Sequence, residues 1–408
     1  MHLKLLKYPL NSSFAFRVKK TSRELFSSKN FSSDESDKPL DSESRVKSIL
    51  RASSPLKANI EDDGFFAASP YPKGTVFLES DVSKSQKDTN PEPQQCSIIM
   101  FPGQGNQFVG MSKNLINYPV VKDMFGAASS ILGYNLLKLC TEGPEEKLNK
   151  TEFCQPAMLV CSLAALEKLK DEKPWAINNC VGTCGFSLGE LAALVFAGCI
   201  TFEKAISLVK LRAEAMQLCC QMTPGGMMTV LYGPGSELSK ALIDANDHCK
   251  TKGIRNAHCS IATYLFPGCK VIAGHVDALN FLIENGHKYR LRKLSKLPVS
   301  GAFHTNLMKE ASIPFENVIK KLDIKEPIIK VYSNVNGKPY KNTKDIRKKL
   351  PKQIYLPVKW EQTMQNIYER PQGTGFPFTY ECGPGKSLSV VLKKINVKAS
   401  GFCYSVQV

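Results

Sequence analysis

The pattern of apolar and polar positions divides the chain into an N-terminal stretch without periodicity and a long body of strand and helix patterns. Residues 31–90 are rich in Ser, Asp, Lys and Pro, a composition typical of a loosely ordered linker. From about Cys96 onward, a buried-strand pattern at 97–105 leads into a glycine turn. A helical pattern at 155–173 and a second short strand at 178–186 follow. This alternation predicts an α/β fold.

Two further helices are predicted directly after the second strand. The segment LGELAALVFAG (188–198) is apolar, lacks Pro and is rich in good helix formers. Thr201 is suited to cap the next helix, TFEKAISLVKLRAEAMQLCC (201–220), whose apolar residues recur at three- and four-residue spacing. Both helices belong to the same α/β body.

A different order of elements is predicted between residues 223 and 295. The segments GGMMTVLYG, SELSKALIDAN, HCSIATYL, KVIAGH, VDALNFLIENG and YRLRKLSKL give strand, helix, strand, strand, helix, strand. This is the order of a split βαβ unit, the ferredoxin-like arrangement. Helix and strand patterns resume afterwards at NLMKEASIPFENVIKKL and KVYSNV. We therefore predict a ferredoxin-like small subdomain, residues 223–295, inserted in an α/β-hydrolase-like large subdomain formed by residues 96–222 and 296–400.

The first 30 residues have the balance of a mitochondrial presequence. They contain seven Lys or Arg and a single acidic residue, Glu24, among scattered Leu, Phe and Ser. A disordered basic tail is the alternative interpretation. We assign residues 1–40 to a targeting presequence and 41–95 to a flexible linker, and we predict a mitochondrial location in the matrix.

Composition and charge limit the classes of function. The chain of 408 residues is 43% hydrophobic and 22% charged, as in soluble globular proteins, and its longest apolar run, 191–202, is too short to span a bilayer. The net charge of +17 suggests nucleic acid, but basic residues are not clustered with aromatic residues as in nucleic-acid modules. We therefore expect neither DNA nor RNA binding, and favour phosphorylated ligands and acidic protein partners.

The 14 cysteines do not indicate a metal site. They form no paired CxxC motifs, and His248-Cys249 with His258-Cys259 lacks a zinc spacing. Buried thiols in a reducing compartment are the simpler interpretation.

One pentapeptide suggests covalent chemistry. Gly185-Phe186-Ser187-Leu188-Gly189 fits the G-x-S-x-G elbow, in which a sharp turn from strand to helix exposes the serine hydroxyl. The glycines allow close passage of the backbone. Ser187 is therefore a candidate nucleophile, and a simple helix cap is the alternative.

A serine nucleophile needs a base within hydrogen-bond reach. Of the six histidines, only His304, in PVSGAFHTNLM, lies outside both the presequence and the predicted small subdomain. We predict His304 as the base, against the alternative of an ordinary structural histidine. Backbone amides for an oxyanion are predicted at Leu188, directly after the serine, and at Gln104 in the glycine turn FPGQG (101–105), although such a turn is often only structural.

Eight motifs place these residues in a known family. FPGQGNQFVGM, GFSLGE followed by LAALVFAG, LVKLRAEAMQ, GGMMTV, KVIAGH, GAFHTNLM, QIYLPVKW and ECGPGKSL occur in this order between about residues 97 and 395. In these motifs the chain resembles the malonyl-CoA:acyl carrier protein transacylase family of acyltransferases. The resemblance implies transfer of a malonyl group from malonyl-CoA to acyl carrier protein through a malonyl-serine, with coenzyme A released and without a cofactor or metal.

The resemblance also implies roles for individual residues. Ser187 would be the nucleophile, His304 its base, and the amides of Gln104 and Leu188 the oxyanion hole. The backbone carbonyl of Gln353 would orient the histidine in place of an aspartate. The substrate-binding group would comprise an arginine for the malonyl carboxylate, a pocket glutamine and an asparagine that supports the histidine region: Arg212, Gln155 and Asn334.

Arg212 depends most on the resemblance. From the sequence alone, an exposed arginine on the polar face of its helix is the better interpretation. A guanidinium can, however, form a bidentate pair with a carboxylate, which an acetyl group lacks. The chain also departs from many relatives by having Phe186 in place of a histidine beside the serine.

Two other functions remain open from the sequence. A serine esterase or thioesterase on the same elbow would have an acidic third residue, and the neutral QIYLPVKW motif argues against it. A non-catalytic module that binds carrier protein or RNA would not need Ser187, His304 and Arg212 together.

Overall fold

The computed structural model describes residues 92–299, 301–406 and 408. The predicted presequence and nearly all of the predicted linker lie outside these residues. The strands of the described part are β1 Ser97–Phe101, β2 Cys180–Gly185, β3 Gly225–Leu231, β4 Cys259–Phe266, β5 Cys269–His275, β6 Lys293–Lys296, β7 Lys330–Tyr332, β8 Phe378–Cys382 and β9 Cys403–Val406.

Helices connect these strands, together with short 3-10 turns at Pro93–Gln95, Gly286–Tyr289, Asn306–Met308 and Pro351–Ile354. In the described residues the helices are α1 Pro119–Leu132, α2 Leu136–Glu142, α3 Glu145–Leu148, α4 Thr151–Glu172, α5 Pro174–Asn178, α6 Gly189–Phe196, α7 Phe202–Met222, α8 Leu238–Thr251, α9 Val276–Asn285, α10 Lys309–Lys321, α11 Thr343–Lys349, α12 Trp360–Tyr368, α13 Ser387–Ile395 and α14 Val397–Ser400.

The large sheet is parallel and has the order β7-β2-β1-β8-β9. Every residue of the central strand β1 is buried. Ile99 and Phe101 pack into the core that includes α4, α6 and α7, whereas Ile98 and Met100 pack into a second core with α12 and α13. A parallel sheet covered on both faces explains the continuous apolar pattern of this strand.

The small sheet is antiparallel and has the order β4-β5-β3-β6. Met228 and Ile272 on one face form a core with α8 and α9, and Met227 and Val271 on the other face join the core of the large subdomain. The order strand, helix, strand, strand, helix, strand confirms the predicted fold class, an α/β body with a ferredoxin-like insertion.

Two boundaries differ from the sequence analysis. β6 covers only Lys293–Lys296 of YRLRKLSKL, because the segment begins at the end of the 3-10 turn Gly286–Tyr289 and continues through Arg290 in a left-handed conformation. At the C-terminus, β9 adds a fifth parallel strand beyond residue 400, where the predicted large subdomain ends.

The predicted cap of α7 is present, since Thr201 Oγ1 accepts a hydrogen bond of 3.3 Å from the amide of Lys204. The cysteines are free thiols, and all of them except Cys403 are buried. Among the described residues, no helix has the length and apolar character of a membrane span, and no His, Cys, Asp and Glu side chains are grouped to hold a metal ion.

Candidate active site

Ser187 lies at a tight turn between β2 and α6. Its φ is 52°, in the left-handed region, and the amide of Phe186 donates to the carbonyl of Phe101 at 2.9 Å. A Cβ atom at Gly185 would lie 1.9 Å from backbone atoms of Gly189, and a Cβ at Gly189 would lie 2.2 Å from the Phe101 carbonyl oxygen. Both glycines are therefore required for the turn that exposes the serine.

His304 connects the serine to a backbone carbonyl. Its Nε2 lies 2.8 Å from Ser187 Oγ, and its Nδ1 lies 2.7 Å from the carbonyl oxygen of Gln353. Because a carbonyl only accepts, Nδ1 carries the proton and Nε2 is free to accept the serine proton. Burial and the nearby Arg212 lower the pKa of His304 to about 4. The imidazole is therefore neutral near pH 7, as a general base requires.

Arg212 is 2% exposed and is held by two glutamines. Nη1 donates to Gln155 Oε1 at 2.6 Å and Nη2 donates to Gln353 Oε1 at 2.9 Å. Nη2 also lies 3.2 Å from Ser187 Oγ. Burial lowers the pKa of Arg212 to about 10, so the guanidinium stays charged. Within the described chain it has no carboxylate at ion-pair distance, which leaves a cation beside the serine that can bind an anion.

The two predicted oxyanion amides lie at the same cavity. Gln104 and Leu188 both line it, and in the described part of the chain neither backbone N–H donates a hydrogen bond. A Cβ at Gly103 would meet the Phe186 carbonyl oxygen at 2.6 Å, so glycine allows the FPGQG turn to approach the elbow. Two free amides beside a nucleophile can bind a developing oxyanion.

The cavity has a volume of about 280 Å³ and lies between the two sheets. Its polar end contains the serine, histidine, arginine and Gln155. Phe186 lines the cavity and packs edge-on against buried Trp360 with ring centroids 5.3 Å apart. The remaining wall is mainly apolar, and includes Met216, Met227, Leu265, Val271, Leu297, Val299, Phe303, Leu388 and Val391.

Asn334 holds the serine elbow through its side-chain amide, and the support of the histidine region that the resemblance implies stays a prediction. Its Oδ1 accepts a 2.6 Å hydrogen bond from the amide of Ser187, and its Nδ2 donates to the carbonyl of Gly185 at 2.7 Å. A side-chain amide offers one acceptor and one donor, which matches the two exposed backbone groups of the elbow. Asn334 thus supports the serine turn, and its side-chain hydrogen bonds go to the elbow rather than to His304.

Glu190 and Tyr340 are two buried site residues that the sequence analysis missed. The carboxylate of Glu190 accepts from Tyr340 Oη at 2.5 Å and from Gln353 Nε2 at 2.8 Å. Glu190 ends the GFSLGE motif in the first turn of α6, where an acidic residue is common on an exposed helix because of the helix dipole. The sequence position of Glu190 therefore gives no indication that its side chain is buried. Nothing near Tyr340 in the sequence indicates that it belongs to the site.

Comparisons with known proteins identify the family of the chain. Residues 98–376 match the family model described as "Acyl transferase domain". The probable mitochondrial malonyl-CoA-acyl carrier protein transacylase of Drosophila melanogaster is 50% identical over 77% of this chain and 83% of the relative. The mitochondrial malonyl-CoA-acyl carrier protein transacylase of Homo sapiens is 50% identical over 75% and 79%.

A solved structure is also similar. The malonyl-CoA-acyl carrier protein transacylase of Coxiella burnetii aligns with a TM-score of 0.69 and 29% identity, covering 78% of this chain and 95% of that one. Since one family model spans most of the chain and close relatives share half of its aligned residues, the chain belongs to the malonyl-CoA:acyl carrier protein transacylases of the acyl transferase family.

Proposed function

We propose that the chain transfers the malonyl group of malonyl-CoA to the phosphopantetheine thiol of acyl carrier protein through an ester on Ser187. The observation that carries this proposal is the position of Ser187 Oγ, 2.8 Å from His304 Nε2 and 3.2 Å from Arg212 Nη2. One oxygen thus has a base and a carboxylate-binding cation within reach.

In the first half-reaction, His304 Nε2 takes the Ser187 proton as Oγ attacks the thioester carbonyl. The amides of Gln104 and Leu188 bind the oxyanion of the tetrahedral intermediate. The carbon–sulfur bond then breaks, and His304 returns the proton to the sulfur of coenzyme A. In the second half-reaction His304 accepts the proton of the carrier thiol, the sulfur attacks the serine ester, and the proton returns to Ser187.

Arg212 selects the acyl group. Its Nη2 already lies near Ser187 Oγ, so a three-carbon dicarboxylic acyl group on that oxygen can turn its free carboxylate to the guanidinium. An acetyl group leaves the buried cation without a charged partner, and this penalises the wrong substrate. Every step uses side chains and amides of the chain, so we expect no cofactor beyond malonyl-CoA as acyl donor.

The names of the relatives and the N-terminal sequence support a proposal for the compartment. The Drosophila and human relatives are named as mitochondrial, and the first 30 residues have the charge balance of a presequence. We propose that the enzyme acts in the mitochondrial matrix and supplies malonyl groups for fatty acid synthesis there.

The proposal is tested by intact-protein and peptide mass spectrometry after mixing with malonyl-CoA. We expect a malonyl adduct on the peptide that contains Ser187, and its loss on addition of the reduced carrier protein. Ser187→Ala should form no adduct and release no coenzyme A. Ser400→Ala is the control that should keep both, because Ser400 Oγ donates to the Val397 carbonyl and does not line the cavity. An adduct on another residue, or full turnover by Ser187→Ala, would contradict the assignment.

The same assay separates the two alternatives. A thioesterase would release free malonate at the same rate with and without carrier protein, and the neutral carbonyl behind His304 supports transfer instead. A non-catalytic module would release no coenzyme A, and Ser187→Ala would leave its partner binding unchanged.

A further inference from the structure

Glu190 is a buried carboxylate next to the site that the proposed chemistry does not use. It is fully buried, and it lies one helical turn behind the nucleophile in α6. Its Oε1 accepts from Tyr340 Oη at 2.5 Å and from the amide of Asn334 at 3.3 Å, and its Oε2 accepts from Gln353 Nε2 at 2.8 Å. An ionised carboxylate is the only common side chain that accepts all of these bonds and offers no proton in return.

The bond from Gln353 sets the direction of that side-chain amide. Its Nε2 donates to Glu190 and to the Ser187 carbonyl oxygen at 2.5 Å, while its Oε1 accepts from Arg212 Nη2. A rotation of the amide by half a turn would place Oε1 against two oxygens and Nε2 against the guanidinium. The carboxylate therefore holds the acceptor of Gln353 toward the arginine.

We propose that Glu190 is a positioning residue for acyl selection, because its carboxylate orients the Gln353 amide and thereby holds Arg212 next to Ser187. This inference rests on the proposed malonyl transfer and on the role of Arg212 in it. The Glu190 side chain does not line the cavity, and among the described residues its hydrogen-bond partners do not include Ser187 Oγ. Its effect is therefore indirect and specific for substrates that use the arginine.

The surroundings of Glu190 make its charge responsive to pH. Burial raises its pKa to about 7, against the opposing effects of Tyr340, Gln353, Asn334 and the positive charge of Arg212. Below that pH the carboxyl gains a proton and loses an acceptor position. The preference for malonyl over acetyl donors should therefore decrease as the pH falls through 7.

The test compares kcat/KM for malonyl-CoA and acetyl-CoA in Glu190→Gln and the wild type. Glu190→Gln keeps the shape but has one acceptor oxygen where the carboxylate has two, so it cannot accept from both Tyr340 and Gln353 in the same way. We expect the malonyl-to-acetyl ratio to fall by about tenfold, the size of a lost charge-assisted hydrogen bond. The pH dependence of the ratio should disappear in this variant. Glu190→Asp, which keeps the charge, should retain part of the preference and serves if Glu190→Gln does not fold.

The matched control is Glu381→Gln. Glu381 is also fully buried and accepts hydrogen bonds from the amides of Leu388 and Ser389, but its partners do not include Arg212 or Gln353. Neutralising this carboxylate should change the rates with both donors by the same factor and leave the ratio unchanged.

A double-substitution cycle shows whether the effect passes through the arginine. In an Arg212→Ala background, Glu190→Gln should produce no further change in the ratio. An unchanged ratio in folded Glu190→Gln, or an equal additional loss in the Arg212→Ala background, would overturn the inference. Absence of a malonyl adduct on wild-type Ser187 would instead overturn the proposed function, so the two failures are distinguishable.

Discussion

The two sheets that enclose the cavity contribute different properties to it. The large parallel sheet, its helices and the turns that join them provide the groups that we propose for chemistry, including Ser187 just after β2 and Arg212 on α7. The small antiparallel sheet provides mostly apolar or hydroxyl side chains such as Met227, Thr263 and Val271. Gln104 and Ser187 lie just after the carboxyl ends of the parallel strands β1 and β2, as ligand-binding groups do in other α/β proteins. The second sheet shapes the space around the substrate.

The two subdomains also differ in whether their charged side chains are buried or exposed. In the large subdomain Glu190, Arg212 and His304 are buried and hydrogen-bonded. The helices of the small subdomain pack on an apolar cluster, and its buried His275 bonds the backbone of His258. Its ion pairs are exposed, as in Lys252 with Asp277 at 2.8 Å. Exposed pairs contribute little to stability, whereas a buried charge depends on every partner it has. The large subdomain should therefore tolerate substitutions of its buried polar residues much less than the small subdomain tolerates substitutions of its exposed ones.

Backbone strain follows the same division. Ser187 and His304 both have positive φ, 52° and 60°, and both are fixed by hydrogen bonds to distant segments. In the small subdomain Asn256 and Arg290 have similar φ values, but they lie in a loop and at the end of a short 3-10 turn. Strain that surrounding bonds maintain at two reacting residues is the kind associated with function.

The largest expected effect is the loss of the base. In His304→Ala, kcat/KM for coenzyme A release should fall by about 10³-fold, because general base catalysis contributes on that scale. The measurement is a stopped or continuous assay of free coenzyme A with malonyl-CoA and carrier protein. His287→Ala in the small subdomain, where the side chain is exposed, should retain wild-type activity. Comparable losses in both variants would remove the distinction between the subdomains.

The loss of the cation should have a smaller and selective effect. In Arg212→Ala we expect kcat/KM for malonyl-CoA to fall by about a hundredfold relative to acetyl-CoA, since a buried charge-assisted pair is lost only with the dicarboxylic acyl group. Lys210→Ala on the same helix removes a cation whose Nζ bonds the Leu132 carbonyl, and it should preserve the ratio. If both variants shift the ratio equally, general charge rather than the position of Arg212 determines selectivity.

Local motifs allowed much of this architecture to be predicted. Each element around Ser187 and each of the six elements of the small subdomain has its own periodicity or glycine pattern. These patterns involve residues that are close in the sequence, so they can be recognised without the structure. β8 and β9 were not predicted, because their short segments become parallel strands only through pairing with distant partners.

The hydrogen-bond partners of the supporting residues could not be predicted for a related reason. Asn334 reaches the Ser187 amide across 147 positions, and Tyr340 reaches Glu190 across 150. No local pattern specifies which backbone group such a side chain will satisfy. The order of strands in the large sheet brings β7, and the turn that follows it, beside β2, and this proximity decides the partners.

The smallest expected effect is on the free energy of unfolding, and it separates the titration of His304 from that of Glu190. His304 has a pKa of about 4 when folded, against 6.5 for an exposed histidine. Between these two pKa values the unfolded chain binds a proton at this histidine and the folded chain does not. Stability is therefore lost as the pH falls below 6.5. Between pH 8 and 5 this should cost about 2 kcal/mol.

Glu190 acts with the opposite sign over nearly the same range. Its folded pKa of about 7 lies above the ordinary 4.5, so its contribution to stability grows as the pH falls from 7. The histidine contribution must therefore be obtained as a difference between urea unfolding of the wild type and of His304→Gln at both pH values. We expect His304→Gln to lose about 2 kcal/mol less than the wild type on acidification, and His287→Gln to behave as the wild type. If the unfolding free energies of the wild type and His304→Gln depend on pH in the same way, the folded histidine titrates normally. The large subdomain would then lack the neutral buried base that we propose for its chemistry.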